Sequence, residues 1–100
     1  MQSIENINIT TCFLGTTGFL PEGVFSSQNT METQLKRQAI KVSRRCVMLA
    51  DASKYGISAF SVFARAGDVD ILISDWRFQE AAKMAALGME VMIADLDQPH

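Results

Sequence analysis

The chain has 100 residues, 48% of them hydrophobic and 20% charged, which is ordinary globular usage and excludes a disordered or fibrous polypeptide. Such a length suits one domain with a thin core, because a chain this short buries only about 60–65% of its unfolded surface. Nine Lys and Arg against eleven Asp and Glu give a formal charge of −2, which argues against a nucleic-acid-binding domain with its concentrated positive excess.

Residues 9–14, Ile-Thr-Thr-Cys-Phe-Leu, are β-branched and aromatic, and Gly15 interrupts them, so the pattern predicts a strand. Residues 15–29 hold Gly15, Gly18, Pro21 and Gly23 and are expected to form one long loop, a feature that in small domains commonly carries function. Asn29 and Glu32 make a capping pair, and Met31, Leu35, Ala39 and Val42 recur every three or four residues. They predict a helix with one apolar stripe through about Arg45. Residues 46–50 lack alternation and predict a strand covered on both faces.

Residues 51–56 interrupt that strand, and residues 57–63 alternate apolar with small polar side chains, predicting a short extended segment. Gly67-Asp68 turns the chain into a buried strand over residues 69–73 that ends at Ser74-Asp75. A second helix is expected from about Arg77 to Leu87, with Phe78, Ala81, Ala82 and Ala85 inward and Gly88 as its stop. Residues 89–94 close the pattern as a last strand, and residues 95–100 form a polar tail. The alternation predicts an α/β fold: one domain over residues 1–100 with a largely parallel sheet and flanking helices.

Five of the nine cations, Lys36, Arg37, Lys41, Arg44 and Arg45, fall within ten residues. A solvated helix face accounts for Arg44 and Arg45, since the helix dipole favours cations near its C-terminus. It accounts less well for Lys36 and Arg37 in the second turn, and contact with an anionic ligand is the alternative. From residue 68 onward the balance reverses, with Asp68, Asp70, Asp75, Glu80, Glu90, Asp95 and Asp97 against Arg77 and Lys83.

Cys12 and Cys46 sit in apolar runs without a CxxC pair, so both are expected to be reduced core thiols in a cytoplasmic protein. His100 is the lone histidine, so neither a zinc site nor a histidine-based triad or general base can be drawn. The opening residues lack the basic region and apolar run of a signal peptide. No apolar stretch approaches the ~20 residues of a membrane helix, so no membrane partner is expected.

Two segments directly after strands carry chemistry: Gly15-Thr16-Thr17-Gly18 and Asp51-Ala52-Ser53-Lys54. Ligands of open α/β sheets bind beyond the carboxyl ends of the strands. The first segment offers close backbone approach and two hydroxyls. The second offers a hydroxyl and, in Lys54, a point charge for a phosphate or carboxylate. If the two strands are parallel, both segments share one edge, within reach of Lys36 or Arg37. The plainer readings are a flexible turn and a surface turn with Asp51 paired locally. Ser53 has no adjacent base, and Glu22, Glu32 and Asp51 have local structural roles just as plausible. Tyr55 and Trp76 fit either a pocket wall or the core.

Phe13-Leu14-Gly15-Thr16-Thr17-Gly18-Phe19, the helix with Gln34-Leu35-Lys36-Arg37, and the run from Val47 through Ala50-Asp51-Ala52-Ser53-Lys54 to Gly56 follow in order. Val69-Asp70-Ile71-Leu72-Ile73-Ser74-Asp75 and Gly88-Met89-Glu90-Val91-Met92-Ile93-Ala94 complete the series. Over roughly residues 8–94 the chain resembles the C-terminal effector-sensing domain of the DeoR family of bacterial transcriptional regulators. The resemblance implies a partial Rossmann-like fold related to ribose-5-phosphate isomerase, a phosphorylated sugar as effector, no cofactor, and a role as repressor of sugar-catabolic genes. It also implies that DNA is met only through a separate N-terminal winged helix-turn-helix, absent here together with the first half of the sensor.

The related isomerases carry an Ala-Asp-x-Ser-Lys segment similar to Ala50 through Lys54, which implies that Lys54 contacts phosphate. Their Asp-Gly-x-Asp loop corresponds to Gly15-Thr16-Thr17-Gly18, where both acids are missing, implying a binding site without proton-transfer machinery. The implied effector set is Gly15, Thr16, Thr17, Gly18, Lys36, Asp51, Ser53 and Lys54, with no catalytic or metal-binding residue. An uncovered sheet edge or helix face would then favour a homo-oligomer. The alternatives are a small sugar-phosphate isomerase with Glu32 as base and a ligand-free oligomerisation fragment.

Overall fold

The computed structural model describes residues 9–94. Strand β1 (Ile9–Gly15) leads into a hairpin of β2 (Gly18–Leu20) and β3 (Val24–Ser27), followed by helix α1 (Thr30–Val42) and β4 (Ser43–Leu49). Then come β5 (Ser61–Arg65), β6 (Ile71–Asp75), the short helix α2 (Ala81–Ala85) and β7 (Glu90–Ala94). β1, β4, β6 and β7 pair in that order as a parallel sheet, while β2, β3 and β5 form a second, antiparallel one. The α/β class and the largely parallel sheet are as the sequence pattern predicts. The second sheet is not.

Residues 15–29 are not one loop. Phe19 and Phe25 lie opposite each other in the hairpin, both wholly buried, with stacked rings 5.7 Å apart. The connection closes on Gly23, whose φ of 85° favours glycine and whose N–H donates to the Leu20 carbonyl at 2.8 Å. Gly18 serves close approach instead: a Cβ there would lie 2.3 Å from the Ile57 carbonyl oxygen. The glycines thus mark a packed corner. Two buried aromatics outweigh the loop-like composition around them.

The α1 boundary and its buried face also differ from the pattern. The helix stops at Val42 because Ser43 is already extended, its hydroxyl donating to the Ala39 carbonyl at 2.6 Å. Arg44 and Arg45 therefore belong to β4, both exposed, and the helix dipole does not account for them. Met31 and Leu35 are 72% and 67% exposed. Ala39 and Val42 of the expected stripe are half-buried, but in the first half of the helix burial follows Thr33, and Ile40 joins the core beside Ala39. The helical period is right and the covered face is turned from the expected one, because α1 packs against β5 as well as β1 and β4.

Three smaller corrections follow from local hydrogen bonds and packing. The segment over residues 57–63 is extended only from Ser61, where it pairs with β3. The second helix covers only Ala81–Ala85, since Asp75 caps the Arg77 N–H at 3.0 Å and its carbonyl accepts the Phe78 N–H, forming a turn first. Phe78 and Met84 are buried, whereas Ala82 and Ala85 are exposed. Strand β4 is covered at Cys46, Val47 and Met48 but not at Leu49. The expected tail over residues 95–100 lies outside the described residues.

The core gathers Phe19, Phe25, Met48, Leu72 and Met84, all fully buried. Tyr55 belongs to its wall, with its ring 5.3 Å from those of Phe19 and Phe78, while Trp76 is exposed. Cys12 and Cys46 are free, buried cross-strand neighbours. Burial, with Cys12 and Asp70 nearby, pushes the Cys46 thiol up to about 12. Among the described residues no helix is long and apolar enough to cross a membrane.

Candidate functional site

β1 and β4 are parallel neighbours with Gly15 opposite Leu49, so the turns that follow them emerge side by side at one sheet edge. Phe19 forms a parallel bridge with Tyr55 and accepts the Gly56 N–H at 2.7 Å, which ties the second turn to the hairpin of the first. Asp75, at the end of β6, joins the same rim: its carboxylate lies 3.5 Å from the Ala52 N–H.

The two hydroxyls of the first turn behave differently. Thr16 is buried, and its hydroxyl lies 2.8 Å from the Gly18 carbonyl and 3.0 Å from that of Ser26, so it fixes the turn from inside. Thr17 donates its N–H to the Ser26 carbonyl at 3.0 Å, and its hydroxyl has no partner among the described residues. Gly15 is exposed, yet its carbonyl is already taken by Lys36.

Lys36 is the pivot of this region. Its ammonium donates to the Gly15 carbonyl at 2.7 Å and to the Ser27 hydroxyl at 3.2 Å, pairs with Glu32 at 3.5 Å, and lies 4.8 Å from the centre of the Phe63 ring. Three acceptors match the three donors of an ammonium. Glu32 is equally engaged: its N–H donates to the Asn29 side chain at 2.8 Å, and its own carboxylate accepts from Asn29 at 3.2 Å. Arg37, the next residue along, donates to the Val62 carbonyl at 3.1 Å and lies off the rim.

Asp51 caps the 3₁₀ turn Ala52–Lys54, accepting the Ser53 N–H at 2.9 Å and the Ser53 hydroxyl. Lys54 is half-buried and makes no ion pair among the described residues. Asp75 pairs with Arg77 at 2.7 Å, and the guanidinium's hydrogen bond holds its carboxyl below the ordinary value of 3.8. Sequence reasoning missed Asp75 and Arg77 as rim residues. Their signal was position: the acid ends a buried strand. No group of three metal-ligating side chains occurs among the described residues.

The rim is that of an α/β module which presents hydroxyls, backbone and one uncompensated ammonium at the carboxyl ends of parallel strands. Residues 1–76 match the DeoR C terminal sensor domain, and the chain belongs to that family. It is 34% identical over 94 residues to the HTH-type transcriptional regulator GolR of Listeria innocua, covering 92% of this chain and 37% of GolR. It is 43% identical over 63 residues to the HTH-type transcriptional regulator FruR of Bacillus subtilis, covering 63% and 25%. The HTH-type transcriptional repressor GlcR of the same organism is 24% identical over 101 residues, covering 98% and 38%. The chain thus spans between a quarter and two fifths of the length of these relatives.

Proposed function

We propose that this chain is the C-terminal part of the sensor domain of a DeoR-type regulator, a repressor whose effector is a phosphorylated sugar bound at the rim and not transformed there. The observation that carries the reading is Lys54, a cation without an ion pair among the described residues, on the same edge as the unpartnered Thr17 hydroxyl. Lys54 supplies the phosphate charge, Thr17 supplies a hydroxyl donor, and Ser53, whose own proton goes to Asp51, supplies an acceptor for a sugar hydroxyl. Gly15 allows close backbone approach, whereas Gly18 is buried against Ile57 and shapes the turn instead. Thr16, Asp51 and Lys36 hold the two turns in place. The engagement of Glu32 in a cap and an ion pair supports binding without proton transfer.

The names of the relatives support a regulatory role, with DNA contacted through a winged helix-turn-helix in the length that this chain does not span. Regulation then requires the effector to bind two states of the longer polypeptide with unequal affinity, since equal affinity shifts nothing. Exposed Phe13, Met31, Leu35 and Phe60 favour self-association, and β1 at the sheet edge adds a strand-pairing surface. The free, buried thiols suit a reducing compartment such as the cytoplasm.

Calorimetric titration of the chain with pentose and hexose phosphates tests the reading. Lys54→Ala is expected to weaken binding about tenfold or more, the usual weight of a charge-assisted hydrogen bond. Equal affinity in both proteins removes Lys54 from the site. Turnover of a sugar phosphate that Glu32→Gln abolishes replaces the reading with an isomerase.

A further inference from the structure

A groove lined by cations lies away from the rim. α1 and β5 enclose a groove of about 360 Å³, within the range of small-molecule sites. Its floor is apolar, with Phe63 and Ala64 buried and Ile40 half-buried. Its walls carry Arg37 and Lys41, one helical turn apart on α1, and Arg65 at the end of β5. None of these three cations makes an ion pair among the described residues. The one acid of the lining, Asp68, accepts the Arg65 backbone N–H at 3.0 Å, capping the turn after β5.

The helix dipole favours Lys41 in the last turn of α1, but nothing in the fold supplies Arg37 or Arg65 with a counter-charge among the described residues. Like charges four residues apart on a helix repel, and a chain of net charge −2 has acids to spare for pairing them. Arg37 is also held in place, because its bond to the Val62 carbonyl fixes the guanidinium while leaving most of its donors unused. We propose that the α1–β5 groove binds a small organic anion whose apolar body rests on Phe63 and Ala64 and whose charged group meets Arg37, Lys41 and Arg65. Lys36 and Arg37 are consecutive, yet about 100° of helix rotation sends one to the rim and the other to the groove. The groove lining does not include Lys36, so the two sites share no cation, although they adjoin at Phe63, whose ring has the Lys36 ammonium 4.8 Å from its centre.

Phenyl phosphate, titrated into the isotopically labelled 100-residue chain and followed by amide chemical shifts, is the test. It is expected to move the amides of Ile40, Lys41 and residues 62–65, and to bind more tightly than inorganic phosphate, which lacks the apolar body. Arg65→Glu and Lys41→Glu change exposed side chains and are each expected to weaken binding about tenfold, whereas Lys54→Ala leaves it intact. Binding unaffected by both charge reversals overturns the proposal. So do shifts confined to residues 15–18 and 51–54, or groove shifts that follow protein concentration without any probe, which would mark an interface between copies. Because Lys54→Ala separates the sites, failure here leaves the rim reading standing, and the reverse holds too.

Discussion

The rim at the carboxyl ends of β1, β4 and β6 and the groove between α1 and β5 use cations in opposite ways. At the rim, Lys36 is engaged by Gly15, Ser27 and Glu32, and Asp75 is matched by Arg77, which leaves Lys54 as the rim cation without an ion pair among the described residues. In the groove, Arg37, Lys41 and Arg65 converge with no ion pair among the described residues. One helix supplies cations to both. A basic run therefore has no single meaning: each residue's role follows from what its helix face meets.

The largest expected effect breaks the rim alone. Gly18→Ala would set a Cβ 2.3 Å from the Ile57 carbonyl oxygen, a backbone atom that no side-chain rotation can move away, so the hairpin and the second turn must separate. Denaturant unfolding should show a loss of about 1–3 kcal/mol, the usual cost of overpacking. No loss would mean that the two turns do not need each other.

Lys36→Met and Lys41→Met set the two uses of a cation side by side. The first leaves the Gly15 carbonyl and the buried Ser27 hydroxyl without their donor and should cost about 1–3 kcal/mol. The second removes a groove cation that repels Arg37, and stability should stay within about 0.5 kcal/mol. Equal losses would erase the distinction between a structural and an available cation.

The smallest effect is acid dependence. The Asp75 carboxyl is held below its ordinary value in the folded chain, chiefly by its hydrogen bond with Arg77. Its contribution is complete above that ordinary value and is lost as pH falls through the folded one. Asp75→Asn should flatten the acid limb of the stability curve slightly, and Lys41→Met should not change it. At the other extreme, the raised Cys46 thiol makes stability fall between about pH 9 and 12, because the unfolded chain releases that proton first. Cys46→Ala should remove this alkaline loss and leave the acid limb alone.

Much of this was legible along the chain. A β-branched run ended by Gly15 marks β1, an apolar run without alternation before Asp51 marks β4, and the turns after them identify the edge where Lys54 and Thr17 stand. The glycines at 18 and 23 misled, because a residue chosen for close packing has the same name as one chosen for freedom. Met31 and Leu35 misled for a related reason: periodicity reports that a helix has faces, not which face is covered.

The α/β alternation, the parallel strands and the position of both turns follow from the order of residues, since propensity, period and punctuation act over a few positions. Tertiary structure alone decided the second sheet, the phase of α1 and the division of its cations. Lys36 finds partners 21 and 9 residues away, at Gly15 and Ser27, and Arg37 finds one 25 residues away, at Val62. Which ammonium or guanidinium is neutralised depends on that long-range packing, because charge is compensated in space and not along the chain.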